Sequence, residues 1–178
     1  MKLNYEKLGN HLELYDLKVK HTKKSYNLSD IKGISSISKS FVTTKANLVD
    51  VTTDNYKIVP PGYFAYNPNT ARMGDKIPIA YNDSKEDILV SSIYPVFKII
   101  SNSIIPEYLM LWFKRPEFDR YSRYMSNGSA REVFDWEEMC NVSLPTPTIE
   151  KQNEIVNAYN IISNRIKLKK KINDNLAA

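Results

Sequence analysis

Apolar positions change their spacing twice along the chain. Up to about residue 105 they come in short runs with β-prone residues, cut by turn signals. Residues 56–59 form such a run and stop at Pro60-Pro61-Gly62. Residues 63–66 resume it and end at Asn67-Pro68-Asn69, and residues 77–81 form a third run. Residues 88–100 form the longest one, interrupted by Pro95, which predicts an edge strand or a bulge there. Each run is short enough for a strand, and the Pro, Gly and Asn clusters between them supply the turns.

From Pro106 the pattern becomes helical. Pro106 suits a first helical position, and Tyr108, Leu109, Leu111, Trp112 and Phe113 make a broad apolar face. Pro116 opens a second helix carrying Phe118, Tyr121 and Tyr124, with Gly128 as its expected stop. Asp135 and Glu138 have capping-box spacing, and residues 141–144 read as a short strand before Pro145-Thr146-Pro147. The aromatic residues Trp112, Phe113, Phe118 and Trp136 are expected in the core, as is Cys140 as a small apolar residue.

Residues 148–178 contain neither Gly nor Pro. Thr148 suits a helix cap and Glu150 a helix N-terminus. Ile155, Tyr159, Ile162 and Ile166 recur at the spacing of a helix-packing seam, which drifts beyond them to Leu168, Ile172 and Leu176. A helix over this stretch would be roughly 45 Å long. Its apolar face is too narrow and too long to be covered by a small domain, so a protruding helix that seeks another helix is expected. The reading is therefore an α+β globule over residues 1–147 with a curved mixed or antiparallel sheet and short helices, followed by a coiled-coil-type helix over 148–178.

Composition narrows the function classes. The 178 residues hold 25 Lys and Arg against 20 Asp and Glu, a net charge of +5, which permits a nucleic-acid partner without requiring one. With a single cysteine, Cys140, an internal disulfide and a CxxC metal frame are excluded. His11 and His21 stand without a ligand-spaced pattern around them, so no metal is expected. The apolar runs are shorter than the ~18 residues of a membrane span. Residues 1–6 lack the apolar core of a signal peptide, so the expectation is a cytoplasmic protein without a membrane partner.

Catalytic patterns are weak. The five glycines are scattered, so no phosphate-binding loop forms, and Ser129 lacks the flanks of a nucleophile elbow. Asn67-Pro68-Asn69-Thr70 lacks the second proline and the aromatic of a base-flipping methyltransferase loop, and reads as a β-turn. Three polar, basic segments remain. Residues 38–45 contribute Lys39, Thr43, Thr44 and Lys45; residues 67–76 contribute Asn69, Thr70, Arg72, Met73 and Lys76; residues 126–131 contribute Ser129 and Arg131. Arg72 and Asn69 suit base edges, because guanidinium and amide groups make bidentate contacts in the major groove. Lys39, Thr43, Thr44, Lys45 and Lys76 suit phosphate oxygens. For Arg131 a DNA contact and a pairing with Glu132 or Asp135 are equally open.

Six segments, taken in order, resemble the specificity subunit of type I restriction-modification systems, as one target recognition domain plus one helical spacer. They are residues 5–9 (YEKLG), 56–68 (YKIVPPGYFAYNP), 88–97 (ILVSSIYPVF), 106–121 (PEYLMLWFKRPEFDRY), 126–136 (SNGSAREVFDW) and 144–155 (LPTPTIEKQNEI). The resemblance implies a non-catalytic subunit that selects a site on double-stranded DNA. It also implies methyltransferase subunits that modify adenine with S-adenosylmethionine, and restriction or translocase subunits that use ATP and magnesium. No cofactor is expected on this chain itself.

Family members carry two recognition domains and two spacers, whereas this chain carries one of each. The expectation is a half-subunit that forms a homodimer through residues 149–176 and reads an interrupted palindrome. Three alternatives stay open. One is an interaction module or decoy that binds the methyltransferase without reading DNA. Another is the recognition module of a fused restriction-methylation enzyme. The third is one half cut out of a longer subunit.

Overall fold

A computed structural model describes residues 4–69, 76–126 and 132–176. The elements run β1 (Tyr5–Lys7), β2 (Leu12–Leu14), β3 (Lys32–Ile34), β4 (Phe41–Thr43), β5 (Lys57–Val59), β6 (Phe64–Tyr66), β7 (Ile79–Tyr81), β8 (Ile88–Val90) and β9 (Val96–Ile99). Then come α1 (Pro106–Phe113), α2 (Pro116–Tyr124), α3 (Trp136–Asn141), β10 (Ser143–Pro145) and α4 (Ile149–Leu176). The class is α+β, with all pairing between these strands antiparallel.

The central sheet has the order β2-β9-β6-β7, and three two-stranded ribbons surround it: β1–β10, β3–β4 and β5–β8. Alternation along the strands gives the sheet two unlike faces. Phe64, Tyr66, Ile79 and Phe97 point to one face and pack with Leu109, Phe113, Phe118 and Phe134 from the helical half. Ala65, Ala80 and Val96 point to the other, where their small side chains let Ile34, Val59 and Val90 of the ribbons approach. The Phe64 and Phe97 rings stack at 5.1 Å, and Phe113 meets Phe118 at 4.8 Å.

Local signals explain most boundaries. Gly62 sits at φ 84°, and Tyr63 N–H donates to Pro60 C=O at 3.1 Å. This is a type II turn, which needs a residue tolerant of positive φ at that position. Pro106 and Pro116 each open their helix, after Ile105 and Arg115 in extended conformation. Asp135 accepts from Glu138 N–H at 2.9 Å and caps α3.

Three expectations change. Pro95 marks neither an edge nor a bulge: it separates β8, paired with β5, from β9, which lies inside the central sheet. The proline is tolerated because it precedes the first residue of β9 and still accepts a bond from Tyr66 N–H at 3.2 Å. Phe113 and Phe118 are buried, but Trp112 and Trp136 only flank the core, and Arg115 covers the Trp112 ring at 4.4 Å. Cys140 is half-buried, with burial pushing its thiol pKa up. Gly128, the expected stop of α2, lies outside the described residues; α2 itself ends at Tyr124.

The strand β1 pairs with β10 in the register Tyr5 to Pro145, so the first described residues lie beside the root of α4. At 28 residues, α4 is about 42 Å long. It touches the globule through α1 near its start, where Gln152 and Val156 are buried. Beyond Val156 its described side chains are exposed except for half-buried Ser163. No helix among the described residues is long and apolar enough to cross a membrane.

Candidate nucleic-acid interface

The hairpin β3–β4 turns tightly over Ser35 to Ser40. Ser35 N–H donates to Ser40 C=O at 3.0 Å, Lys39 N–H to Ser35 C=O at 2.9 Å, and Ser38 N–H to Ser35 Oγ at 3.1 Å. Lys39 takes φ 49° in this turn. That left-handed backbone aims its side chain inward. Its Nζ donates to Asp119 Oδ1 on α2 and, at 3.1 Å, to Ile77 C=O. Asp119 Oδ1 also accepts Ile77 N–H at 3.2 Å. Burial lowers the Lys39 pKa, against the opposing pull of the Asp119 bond.

Lys39 is therefore not the free phosphate ligand expected of it. An ammonium with 4% of its side chain exposed, paired to a carboxylate with 9%, is committed to the fold. What it does is join the hairpin tip to residue 77, where the segment 67–76 ends, and to α2. Thr43 and Lys45 remain exposed, and Thr44 is half-buried with its Oγ1 accepting Ala46 N–H at 3.1 Å.

The entry to the second segment is held as well. Asn69 N–H donates to Asn67 Oδ1 at 3.1 Å, an Asx-type turn. Asn69 also bridges to Val133, and Phe134 N–H donates to Pro68 C=O at 2.9 Å. The fold thus brings described neighbours of the three segments together: Ile77 meets the hairpin tip, and Pro68 and Asn69 meet Val133 and Phe134. Asn69 is half-buried and Lys76 exposed. Thr70, Arg72, Met73, Ser129 and Arg131 lie outside the described residues.

Two residues that the sequence reading passed over matter here. Asp119 sits on α2 among residues read simply as helix surface and core; its only signal is a carboxylate next to Phe118 on the buried face. Gln152 is fully buried at the root of α4. Its Oε1 accepts Ile105 N–H at 3.0 Å, and its Nε2 donates to Ser103 C=O at 2.7 Å and Pro147 C=O at 2.8 Å. Its signal is a polar side chain four residues before Val156 on the docked face.

His11, which stands in the sequence without a ligand-spaced pattern around it, is buried. Its Nδ1 lies 2.8 Å from Ser101 Oγ, and its Nε2 lies 3.0 Å from Glu6, an electrostatic contact without hydrogen-bond geometry. The imidazole ties β1 to the loop that precedes α1. Ser101 Oγ also lies 3.1 Å from Ser103 Oγ.

Along α4, Ile155, Tyr159, Ile162, Ile166, Leu168 and Ile172 are all exposed large side chains. Ile162, Ile166, Leu168 and Ile172 line one groove with the stems of Arg165 and Lys169. The side chain of Leu176 lies outside the described residues.

No family model matches the sequence, and no curated protein matches it. Solved structures do. The HsdS subunit from Thermoanaerobacter tengcongensis superposes with a TM-score of 0.65 at 17% identity, over 95% of this chain. The chain has the HsdS fold. A chain from a structure of the complex assembly and conformational transition of the type I R-M system superposes with a TM-score of 0.55 at 12% identity, over 94% of this chain. This chain spans 44% and 40% of those two chains. The HsdS fold here includes both parts, the α+β globule and the long helix.

Proposed function

We propose that this chain is the sequence-specific DNA-recognition subunit of a type I restriction-modification complex. The observation that carries the reading is the HsdS fold extending over 95% of the chain, helix included. The chain selects the site and performs no catalysis. Methyltransferase subunits modify adenine with S-adenosylmethionine, and restriction or translocase subunits act with ATP and magnesium. Thr43, Thr44, Lys45, Asn69, Thr70, Arg72, Met73, Lys76, Ser129 and Arg131 supply the DNA contacts, with Arg72 and Asn69 at base edges.

The chain acts as a half-subunit and pairs with a second copy through α4. What supports this is the exposed seam together with the charge along the helix. Glu150 and Glu154 stand near its start with Lys151, which pairs with Glu154 at 2.7 Å, whereas Arg165, Lys167, Lys169, Lys170 and Lys171 crowd its second half ahead of Asp174. Antiparallel pairing sets acids of one copy beside lysines of the other; parallel pairing would stack lysine on lysine. Two identical readers related by a two-fold axis recognise an interrupted palindrome.

The test is co-expression with a methyltransferase subunit followed by mapping of modified adenines. The expected result is a single interrupted palindrome. An asymmetric target overturns the symmetric half-subunit, and methylation that does not depend on this chain overturns the recognition role.

A further inference from the structure

A cavity of about 680 Å³ opens between the β3–β4 hairpin tip, α2 and the first exposed turns of α4. Its floor is the Lys39–Asp119 pair, which balances its own charge. Its walls carry Lys76, Lys114 and Arg120, all exposed, with Ser36 and Ser38 at the hairpin lip. Among the described residues, neither Lys76 nor Lys114 has a carboxylate within ion-pair distance. Among the described residues Arg120 reaches only the exposed Glu117, at 3.5 Å, a carboxylate it shares with Arg115. Lys114 lies 5.9 Å over the Tyr159 ring of α4, at the side where helix and globule meet.

Three cations from three segments thus converge on a space whose other polar groups are the self-balanced Lys39–Asp119 pair and hydroxyls. Mutual repulsion makes such a grouping unfavourable unless an anion shares it. Ammonium and guanidinium groups make their strongest hydrogen bonds to phosphate oxygens. A free nucleotide would also want an aromatic platform for its base, but Tyr159 is the single ring in the lining and Lys114 covers it.

We propose that this cavity seats the phosphodiester backbone of duplex DNA, held jointly by Lys76, Lys114 and Arg120. The assignment rests on the DNA-recognition reading above and locates a backbone contact at the junction of globule and helix. DNA bound there touches the root of α4 and the hairpin at once, so seating the duplex also fixes the helix direction relative to it. The lysines at 167–171, far along the helix, are then not part of the DNA surface.

The test is a fluorescence anisotropy titration of the full chain with a short mixed-sequence duplex across a salt series. Each phosphate contact contributes about 0.9 to the slope of log affinity against log salt. The triple substitution Lys76→Gln, Lys114→Gln, Arg120→Gln is expected to lower that slope by about 2–3. Substituting Lys169, Lys170 and Lys171 by Gln leaves it unchanged. All these side chains are exposed, so an unaltered melting temperature verifies that the variants fold. An unchanged slope in the cavity variant, with DNA binding intact, overturns the cavity assignment alone. So does displacement of DNA by inorganic phosphate beyond its ionic-strength effect, which would mark a free-anion site. Absence of salt-dependent binding by the unsubstituted chain overturns the DNA reading together with it.

Discussion

Gln152 satisfies three backbone groups with one neutral side chain, on loops that precede α1 and α4. Buried polar groups left unpaired are costly, so these three bonds tie the root of the helix to the globule. Gln152→Leu leaves Ile105 N–H and two carbonyl oxygens without partners, and is expected to cost about 2–4 kcal/mol in urea denaturation. Gln152→Glu keeps the size but puts an acceptor against both carbonyls, so it should be no milder. Asp87 acts differently. Burial raises its pKa, but bonds from Lys24 and Tyr26, both at 2.7 Å, outweigh this and hold it below its ordinary 3.8. A carboxylate depressed in the folded state adds stability above its unfolded pKa and loses it as pH falls through the folded value. The stability advantage over Asp87→Asn should therefore be full near neutrality and close below about pH 4, as read by denaturation at stepped pH.

Short elements in this fold depend on close approaches that no periodicity announces. Gly9 lies in the 3-10 turn Leu8–Asn10, packed on α3, and a Cβ there would fall 2.9 Å from Cys140 Cβ. Gly9→Ala is expected to cost about 1–3 kcal/mol by overpacking. Cys140→Ala keeps the opposing Cβ and gives no relief, whereas Cys140→Gly combined with Gly9→Ala should cost less than the sum of the two. A thermal-melt double-mutant cycle measures that coupling. Strand positions were legible where turn chemistry bounded them, as at Pro60-Pro61-Gly62 and Asn67-Pro68-Asn69. Pro95 was misplaced because a proline reports only its own missing N–H. Whether the next strand lies at an edge or inside a sheet depends on partners such as β2, more than 80 residues away in sequence.

At the scale of the molecule, the globule is closed around its aromatic core while α4 leaves an apolar seam in solvent. Ile162→Asp with Ile166→Asp is expected to yield a monomer by light scattering. The globule should melt at an unchanged temperature, because these side chains, 60% and 51% exposed, contribute nothing to its core. A dimer that survives both charges would place the interface elsewhere.

The sequence by itself determined the division into an α+β part and a long terminal helix, the helix starts at Pro106 and Pro116, and the exposed seam of α4. These follow from local periodicity, turn residues and the fixed geometry of a helix. Only the tertiary structure decided that Lys39 turns inward to Asp119, that Lys114 and Arg120 stand beside Lys76, and that Gln152 anchors the helix. Each of these pairs residues tens of positions apart, and a lysine on a loop looks the same in sequence whether it faces water or a buried carboxylate. For Lys39 and Gln152 the physical reason is desolvation: a buried charge or amide needs its partners, and the fold supplies them.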